Sequence, residues 1–204
     1  TFFDKFSTVS FLAKNSLPFP RTFLLDDFNG QIDYPFLIKL RRGSGSRGVH
    51  FIGNSVDFDY YRRLYPNSIV QEILGDSDHE YTVGVFSYGE EVNSITFRRY
   101  LGFGGMSRYV ETVENSDIRI LAEKIARVTG LRGSINVQLR LNKGIPVPFE
   151  INPRISSTVY FRHYFGFKDL VWWLEILRGR NPKIDRVCLK GIGVRTVGEV
   201  FFDI

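Results

Sequence analysis

Two stretches in the second half of the chain alternate strictly between apolar and polar side chains. Residues 135–141 carry Ile, Val or Leu at odd positions and Asn, Gln or Arg at even positions, and residues 149–154 keep the same parity. Successive side chains of a strand point to opposite faces, so each stretch predicts a half-buried strand. The turn residues 142–144, Asn-Lys-Gly, predict a β-hairpin whose three-residue loop is closed by a left-handed glycine.

The predicted hairpin has an apolar face and a polar face. Phe149 is expected to point into a core, whereas Glu150, Asn152 and Arg154 share the opposite face. A three-residue loop pairs even-numbered positions with even-numbered positions. Gln138 is therefore expected on the polar face, about one diagonal step from Glu150.

The rest of the chain mixes helices and strands without strict βαβ alternation, so α+β is the expected fold class. Apolar periodicity and Gly, Pro and Asn residues predict helices over 4–15, 57–65, 115–130 and 168–178, and strands over 34–40, 49–52, 68–74, 80–86 and 91–100.

Composition is that of a globular protein. The 204 residues, 43% of them hydrophobic, suit one domain or two small lobes. No apolar run approaches the ~20 residues of a membrane span. The single cysteine, Cys188, cannot form an internal disulfide, so we expect a reducing cytoplasmic location.

The formal charge of +5 fits anionic ligands such as nucleotides, although many ordinary surfaces carry as much. Arginine pairs at positions 41/42, 62/63 and 98/99 are dispersed rather than gathered into one stripe. We therefore do not expect a nucleic-acid binder.

Residues 43–48, Gly-Ser-Gly-Ser-Arg-Gly, spell a G-x-G-x-x-G loop between two predicted strands. A dinucleotide fold would need a helix directly after the loop, and a protein kinase would place its lysine after it. Here Lys39 precedes the loop, which favours a glycine flap that closes over phosphates. The alternative is a flexible hairpin with a basic tip.

Two further sites are indicated by residue type. Gln138, Glu150 and Asn152 bring three oxygen-bearing side chains to one face, as Mg²⁺ prefers. The alternative is a surface ion pair of Glu150 with Arg154 beside a turn. Lys5, in the first turn of its helix, gains nothing from the helix dipole, so it is either solvated or bound to an anion.

In this order, these residues resemble the ATP-grasp family, in particular the subset similar to carbamoyl phosphate synthase large subunits and stand-alone carboxylate ligases. The resemblance covers the chain from about Asp4 to Gly179. Its specificity lies in the ordered set of Lys5, Lys39, the glycine loop, Gln71, Glu72, Ile73, Glu80, Gln138, Glu150, Asn152 and Arg154.

The resemblance implies a role for each position. Lys5 and Lys39 would contact the ATP phosphates, and Arg154 would face the transferred phosphoryl group or the acyl substrate. Glu80 would bind the ribose hydroxyls. The mobile flap would include Gly43, Ser44, Gly45, Ser46 and Gly48, the segment beside adenine would be Gln71, Glu72 and Ile73, and the Mg²⁺ ligands would be Gln138, Glu150 and Asn152.

The resemblance also implies two lobes with ATP between them. Residues 1–70 would form the smaller lobe with the flap, and residues 71–204 the larger lobe with the Mg²⁺ site. Relatives usually carry a separate α/β domain before the position of Asp4, and we expect that domain to be absent here.

The implied activity is that of an ATP-dependent ligase. It would activate a small carboxylic acid as an acyl phosphate for attack by an amine or similar nucleophile, with ATP and one or two Mg²⁺ ions. Residues 98–109 and 156–165 mix aromatic and basic groups, which suggests an acidic or aromatic acid. The alternative is a non-catalytic, ATP-binding regulatory or assembly module, and a homo-oligomer is left open.

Overall fold

The computed structural model describes residues 2–43, 48–75, 80–185 and 189–196 of the chain. Among the predicted site residues, Ser44, Gly45 and Ser46 lie outside the described residues, as does Cys188. The expected α+β class is confirmed, because the chain forms five α-helices and two antiparallel sheets within the described ranges.

The helices begin and end where local chemistry directs them. At the start of the first helix, the Asp4 carboxylate accepts hydrogen bonds from the backbone N–H groups of Phe6 and Ser7. At the start of the third helix, the Asn115 side chain likewise accepts hydrogen bonds from two backbone N–H groups. Gly130 ends the third helix with a φ of 64°. The helices are α1 Lys5–Lys14, α2 Ser55–Leu64, α3 Ser116–Thr129, α4 Val159–Tyr164 and α5 Asp169–Leu177, with 3₁₀ turns at Leu25–Asp27 and Phe103–Gly105.

The smaller sheet has four strands in the order β1-β4-β2-β3, all paired antiparallel. Apolar residues of this sheet, including Phe36, Ile38 and Val70, are buried in a core that also receives Phe58 of α2. Its strands are β1 Thr22–Leu24, β2 Phe36–Leu40, β3 Val49–Ile52 and β4 Ser68–Glu72.

The larger sheet has six antiparallel strands in the order β10-β7-β6-β5-β8-β9. Register shifts interrupt the pairing only at Tyr100/Leu101 and Gln138/Leu139, so polar side chains of alternate residues line up across most of the described sheet. Its strands are β5 Glu80–Tyr88, β6 Glu91–Leu101, β7 Ser107–Thr112, β8 Gly133–Asn142, β9 Ile145–Asn152 and β10 Ile192–Val194.

The two faces of the larger sheet are covered differently. On one face, α3 packs over Val83 and Val137, and Leu12 of α1 joins the same core. On the other face, α4 and α5 cover Phe86 and Phe97 but leave polar residues nearer the β8–β9 edge accessible to a cavity. A functional site can therefore form on the uncovered part of this face.

The predicted loop of the β8–β9 hairpin is wrong. Asn142 pairs with Ile145, so the loop has two residues, Lys143 and Gly144, with φ of 52° and 82°. Positive φ at both positions is the geometry that suits two-residue hairpins. A bulge between Gln138 and Leu139 leaves Phe149 without a cross-strand partner. Beyond the bulge, even-numbered residues therefore pair with even-numbered residues, as predicted.

The bulge changes two expectations about side chains. Phe149 does not enter the core but lies on a cavity wall, with its ring centroid 5.4 Å from Lys39 Nζ. Gln138 lies directly opposite Glu150 rather than one diagonal step away. The polar residues of the hairpin are consequently closer to one another than a regular hairpin would place them.

Candidate functional site

A cavity of about 180 Å³ lies between the smaller sheet and the uncovered part of the larger sheet. The smaller sheet and its flanking segments contribute polar groups to one wall, and the strands β5, β8 and β9 contribute polar groups to the other. The predicted site residues on the cavity wall are Lys5, Lys39, Gly43, Gln71, Glu72, Glu80, Gln138 and Glu150.

Lys39 of β2 lines this cavity. Its Nζ donates a hydrogen bond of 2.6 Å to Gln71 Oε1, and Gln71 Nε2 donates to Thr22 Oγ1 at 2.9 Å. Burial lowers the pKa of Lys39 to about 8; repulsion from Arg140 and Lys5 acts in the same direction, whereas Glu150 and Glu80 oppose the shift. An anion in the cavity would favour the charged form of this ammonium group.

Lys5 joins the start of α1 to the base of the predicted flap. Its Nζ donates to the carbonyl oxygens of Leu40 at 3.0 Å and Gly43 at 3.3 Å. Burial lowers the pKa of Lys5, although Glu150 and Asp4 partly offset this effect. The same helix end is held to the flap base by an ion pair of 2.7 Å between Asp4 and Arg41.

Two arginines that were not among the predicted site residues donate hydrogen bonds to the Glu80 carboxylate. Arg99 donates to Glu80 Oε1 at 3.1 and 2.7 Å, and Arg140 donates to Oε2 at 3.1 and 2.8 Å. Burial would raise the pKa of Glu80, but the two guanidinium groups outweigh it and lower the pKa. Four hydrogen bonds fill the roughly four acceptor sites of a carboxylate.

The sequence indicated the position of only one of these two arginines. Arg140 follows Gln138 by two residues on the same strand, so alternation already placed it on the polar face. Arg99 reaches Glu80 only because β5 and β6 pair in the observed register. The register of a hairpin depends on its loop length, here the two residues Gly89 and Glu90, whereas alternation alone defines only the face on which each residue lies.

The three predicted Mg²⁺ ligands lie side by side at the β8–β9 pair. Asn152 Nδ2 donates to Glu150 Oε1 at 2.9 Å, and Gln138 Oε1 accepts from Arg99 Nη2 at 2.7 Å. Within the described ranges, no group of three or more His, Cys, Asp or Glu residues could hold a metal ion. One carboxylate and two amide oxygens nevertheless fit Mg²⁺, which completes its shell with water and substrate phosphates.

Arg154 lies just beyond β9 and is exposed. Its backbone N–H donates to Asn152 O at 2.8 Å, and its Nη1 donates to Ile155 O at 3.2 Å. Arg154 does not line the central cavity but lines two cavities that adjoin it, and both of these also include Glu150. The guanidinium group is therefore available to an anion beside the central cavity.

The remaining predicted positions lie at the edges of the cavity. Glu72 forms an ion pair with Arg21 at 3.0 Å, and Ile73 is half-buried outside the cavity wall, where Leu74 takes its place. Gly48 O accepts a hydrogen bond from Leu40 N at 3.0 Å. The described ends of the glycine loop therefore both lie beside β2.

The chain belongs to the ATP-grasp domain family, since residues 2–158 match the sequence profile of that family. It is similar to the carbamoyl phosphate synthase large chains of Corynebacterium glutamicum (26% identical over 148 residues, 64% of this chain) and Streptomyces avermitilis (28% over 181 residues, 74% of this chain). The matches span only 13% and 16% of those two proteins.

Solved structures share the fold at low sequence identity. Carboxyaminoimidazole ribonucleotide synthase from Aspergillus clavatus, complexed with ATP, superposes with a TM-score of 0.78 and 16% identity over 94% of this chain and 55% of its own. The biotin carboxylase domain of Hydrogenobacter thermophilus 2-oxoglutarate carboxylase, complexed with MgADP and bicarbonate, gives 0.77 and 15% over 94% and 49%. These likenesses confirm the predicted ATP-grasp fold.

None of the helices within the described ranges is both long enough and apolar enough to span a bilayer.

Proposed function

We propose that this chain forms the nucleotide site of an ATP-dependent ligase that activates a small carboxylic acid as an acyl phosphate. The observation that carries the proposal is one cavity that joins Lys39, Glu80 and the Gln138–Glu150 pair. The cationic groups that would bind phosphates therefore lie next to the oxygen atoms that would bind Mg²⁺. Structural relatives include an L-amino acid ligase from Bacillus licheniformis (TM-score 0.62, 19% identity over 80% of this chain and 43% of its own).

The reaction consists of two displacements. In the first, a carboxylate oxygen attacks the γ-phosphorus of ATP, the bond from that phosphorus to the β,γ-bridging oxygen breaks, and ADP leaves with the electron pair. In the second, the lone pair of an amine attacks the acyl carbon, phosphate leaves, and the amine loses a proton. Both steps need positioning and cancellation of charge rather than a side-chain nucleophile.

The residues of this chain divide that task. Lys5 and Lys39 bind and orient the phosphates, and Arg154 faces the transferred phosphoryl group or the acid. Gln138, Glu150 and Asn152 would hold Mg²⁺, which neutralises phosphate charge when it is bound. Gly43, Gly48 and the residues between them, including Ser44, Gly45 and Ser46, would exclude water from the intermediate.

The nucleoside end would lie between the two sheets. Gln71, Glu72 and Ile73 would flank adenine, and Glu80 would bind the ribose hydroxyls after giving up one hydrogen bond from Arg99 or Arg140. In this arrangement, residues 1–70 supply most of the smaller lobe and residues 71–204 most of the larger lobe. The strand β4 crosses that boundary, and Leu12 of α1 packs in the core of the larger sheet. The acid and the amine would be the other two substrates of this site.

Thermal melts with Mg²⁺ and a non-hydrolysable ATP analogue test the nucleotide site. At about 100 times Kd, a ligand of the native state adds about 2.7 kcal/mol to the unfolding free energy. We expect this stabilisation to weaken in Lys39→Ala and Glu150→Ala and to persist in Lys14→Ala, which alters an exposed lysine of α1. An equal shift in all four proteins would contradict the assigned site.

Release of ADP tests the ligase activity separately. ADP release that depends on an added carboxylic acid would support a ligase. Binding of the analogue without release of ADP, across a panel of acids and amines, would instead indicate a module that only binds ATP.

A further inference from the structure

A second cavity, of about 240 Å³, adjoins the nucleotide cavity on the same face of the larger sheet. Arg99, Gln138 and Glu150 line both cavities, so the two meet at two of the three predicted Mg²⁺ ligands. The far walls of the second cavity come from Thr82 of β5, Asn136 of β8, residues 104–106 and residues 156–158. A molecule bound there would lie next to the terminal phosphate of ATP in the proposed arrangement.

The floor of this cavity presents an amide donor. Thr82 Oγ1 donates to Asn136 Oδ1 at 2.9 Å, and both residues are almost fully buried in the sheet. This bond orients the amide, so that Nδ2 is left as the free donor of Asn136. Across the described part of the chain, that nitrogen donates no hydrogen bond, and Asn136 lines the cavity.

The turn before α4 adds a hydroxyl donor. Ser156 Oγ and Thr158 Oγ1 lie 2.7 Å apart, and both residues are buried. One hydroxyl donates to the other, so one proton of the pair is left for a ligand. Arg99, which lines both cavities, and Arg154, which lines this one, contribute positive charge.

The apolar part of the wall is small. Leu101 and Met106 contribute apolar side chains, whereas most of the other lining residues carry amide, hydroxyl or charged groups. The volume is also below the roughly 300–1,000 Å³ of sites for drug-sized ligands. Such a cavity suits a small ligand with several oxygen acceptors.

We propose that this cavity binds the acid that is phosphorylated and selects a small acid carrying oxygen atoms beyond the reacting carboxylate. This inference rests on the proposed ligase function. One carboxylate oxygen faces the γ-phosphorus at Gln138 and Glu150, and the additional oxygens accept from Asn136 Nδ2 and from the Ser156–Thr158 hydroxyl pair. Of the acidic or aromatic acids suggested by the sequence, the cavity favours the acidic, oxygen-rich class.

Selection follows from the cost of an unpaired donor. An aliphatic or aromatic acid in this cavity would cover Asn136 Nδ2 and the hydroxyl proton without offering an acceptor. Sites built to bind a polar group discriminate strongly against analogues that lack it. We expect a difference in kcat/KM of at least about 100-fold between acids matched in size.

The test measures acyl phosphate formation with hydroxylamine as the trapping nucleophile, at saturating ATP and Mg²⁺. Matched pairs are glycolate with propanoate and succinate with 4-methylpentanoate, and phenylacetate represents aromatic acids. Hydroxamate formation favouring one or both oxygen-rich members by about 100-fold is the expected result. Equal or better turnover of propanoate, 4-methylpentanoate or phenylacetate would overturn the selectivity while leaving the ligase function standing.

Variants locate the selectivity in the cavity. Asn136→Asp preserves shape and the bond from Thr82 but replaces the free donor by a charged acceptor, so KM for the acid should rise at least tenfold. KM for ATP should change less than threefold. The control is Asn93→Asp, at a similarly buried asparagine of β6 outside both cavities.

Ser156→Ala removes one hydroxyl group of the same cavity without adding charge, and it should also raise KM for the acid. This variant still tests the proposal if Asn136→Asp does not fold. Unchanged KM for the acid in every folded cavity variant would overturn the assignment. If no acid gives hydroxamate although melts show ATP binding, the ligase function itself falls, and the inference falls with it.

Discussion

Lys39 Nζ and Gln71 Oε1 lie 2.6 Å apart, and this hydrogen bond places an ammonium group between two sheets. Arg140 and Lys5 are the positive groups that repel it, and Glu150 and Glu80 are the negative groups that attract it. Burial and the two cations prevail and lower the pKa of Lys39 to about 8. A nucleotide phosphate would reverse this balance.

Affinity for ATP should therefore depend on pH through Lys39. Between pH 7 and 9.5, we expect affinity to fall as free Lys39 loses its proton, by up to tenfold per pH unit above about 8. Titration calorimetry in buffers of different protonation enthalpy should show proton uptake on binding near pH 8–9. Lys39→Arg remains charged, so the fall with pH should be much weaker; an identical fall in both proteins would refute the explanation.

The same shift affects stability without nucleotide. The folded pKa of about 8 lies below the ordinary value of 10.5, so the native state releases this proton at lower pH than the unfolded state. The contribution of Lys39 to the free energy of unfolding should rise between these two values. Urea unfolding of wild type and Lys39→Met across this range would isolate that contribution.

Glu150→Gln should lower turnover by about 100-fold or more at saturating Mg²⁺, because losing one key charge-stabilising group costs about 3 kcal/mol. The change preserves shape but removes the one carboxylate of the predicted Mg²⁺ set. Steady-state kinetics measure the turnover of both Glu150→Gln and a control variant, Glu90→Gln. Glu90 is an exposed residue of the β5–β6 turn, so this control should keep the turnover of wild type. Turnover within threefold of wild type would remove Glu150 from the metal site.

Neighbouring arginines of β6 should differ in their contribution to stability. Arg99 pairs with Glu80 at 2.7 Å with both side chains below 10% exposed, whereas Arg98 and Glu111 pair at 2.6 Å with about a third exposed. Arg99→Met removes one of the two cations that pair with the buried Glu80 carboxylate and should cost about 1–3 kcal/mol, because Arg140 still pairs with it. Arg98→Met should cost less than about 1 kcal/mol.

Urea unfolding of the two variants measures this difference directly. Equal losses of stability would show that burial does not separate the two ion pairs.

Gly84 is expected to tolerate no side chain. It lies on β5 beneath the fully buried Arg162, and a Cβ would overlap that side chain, which also pairs with Asp169 at 3.0 Å. Gly84→Ala should destabilise the protein by about 1–3 kcal/mol, as overpacking does. Thermal melts should show little change in Gly53→Ala, where the nearest atom is 3.5 Å away; matching losses would contradict the steric explanation.

Local sequence was sufficient for most of the elements, but its patterns did not predict the strands β1, β7 and β10 or the helix α4. Asp4, Asn115 and Gly130 predicted helix ends correctly, because caps satisfy backbone groups within a few residues. Alternation placed Gln138, Glu150 and Asn152 on one face, because side-chain direction in a strand has a period of two. Whether these three bind Mg²⁺ stays a prediction.

Tertiary structure decided which of those groups meet. The two-residue loop and the bulge at Phe149 bring Gln138 opposite Glu150, and the β5–β6 register brings Arg99 to Glu80. The placement of α4 and α5 over only part of one sheet face leaves the rest for the two cavities. These relationships depend on contacts between residues far apart in sequence, where register and packing, rather than local propensity, lower the free energy.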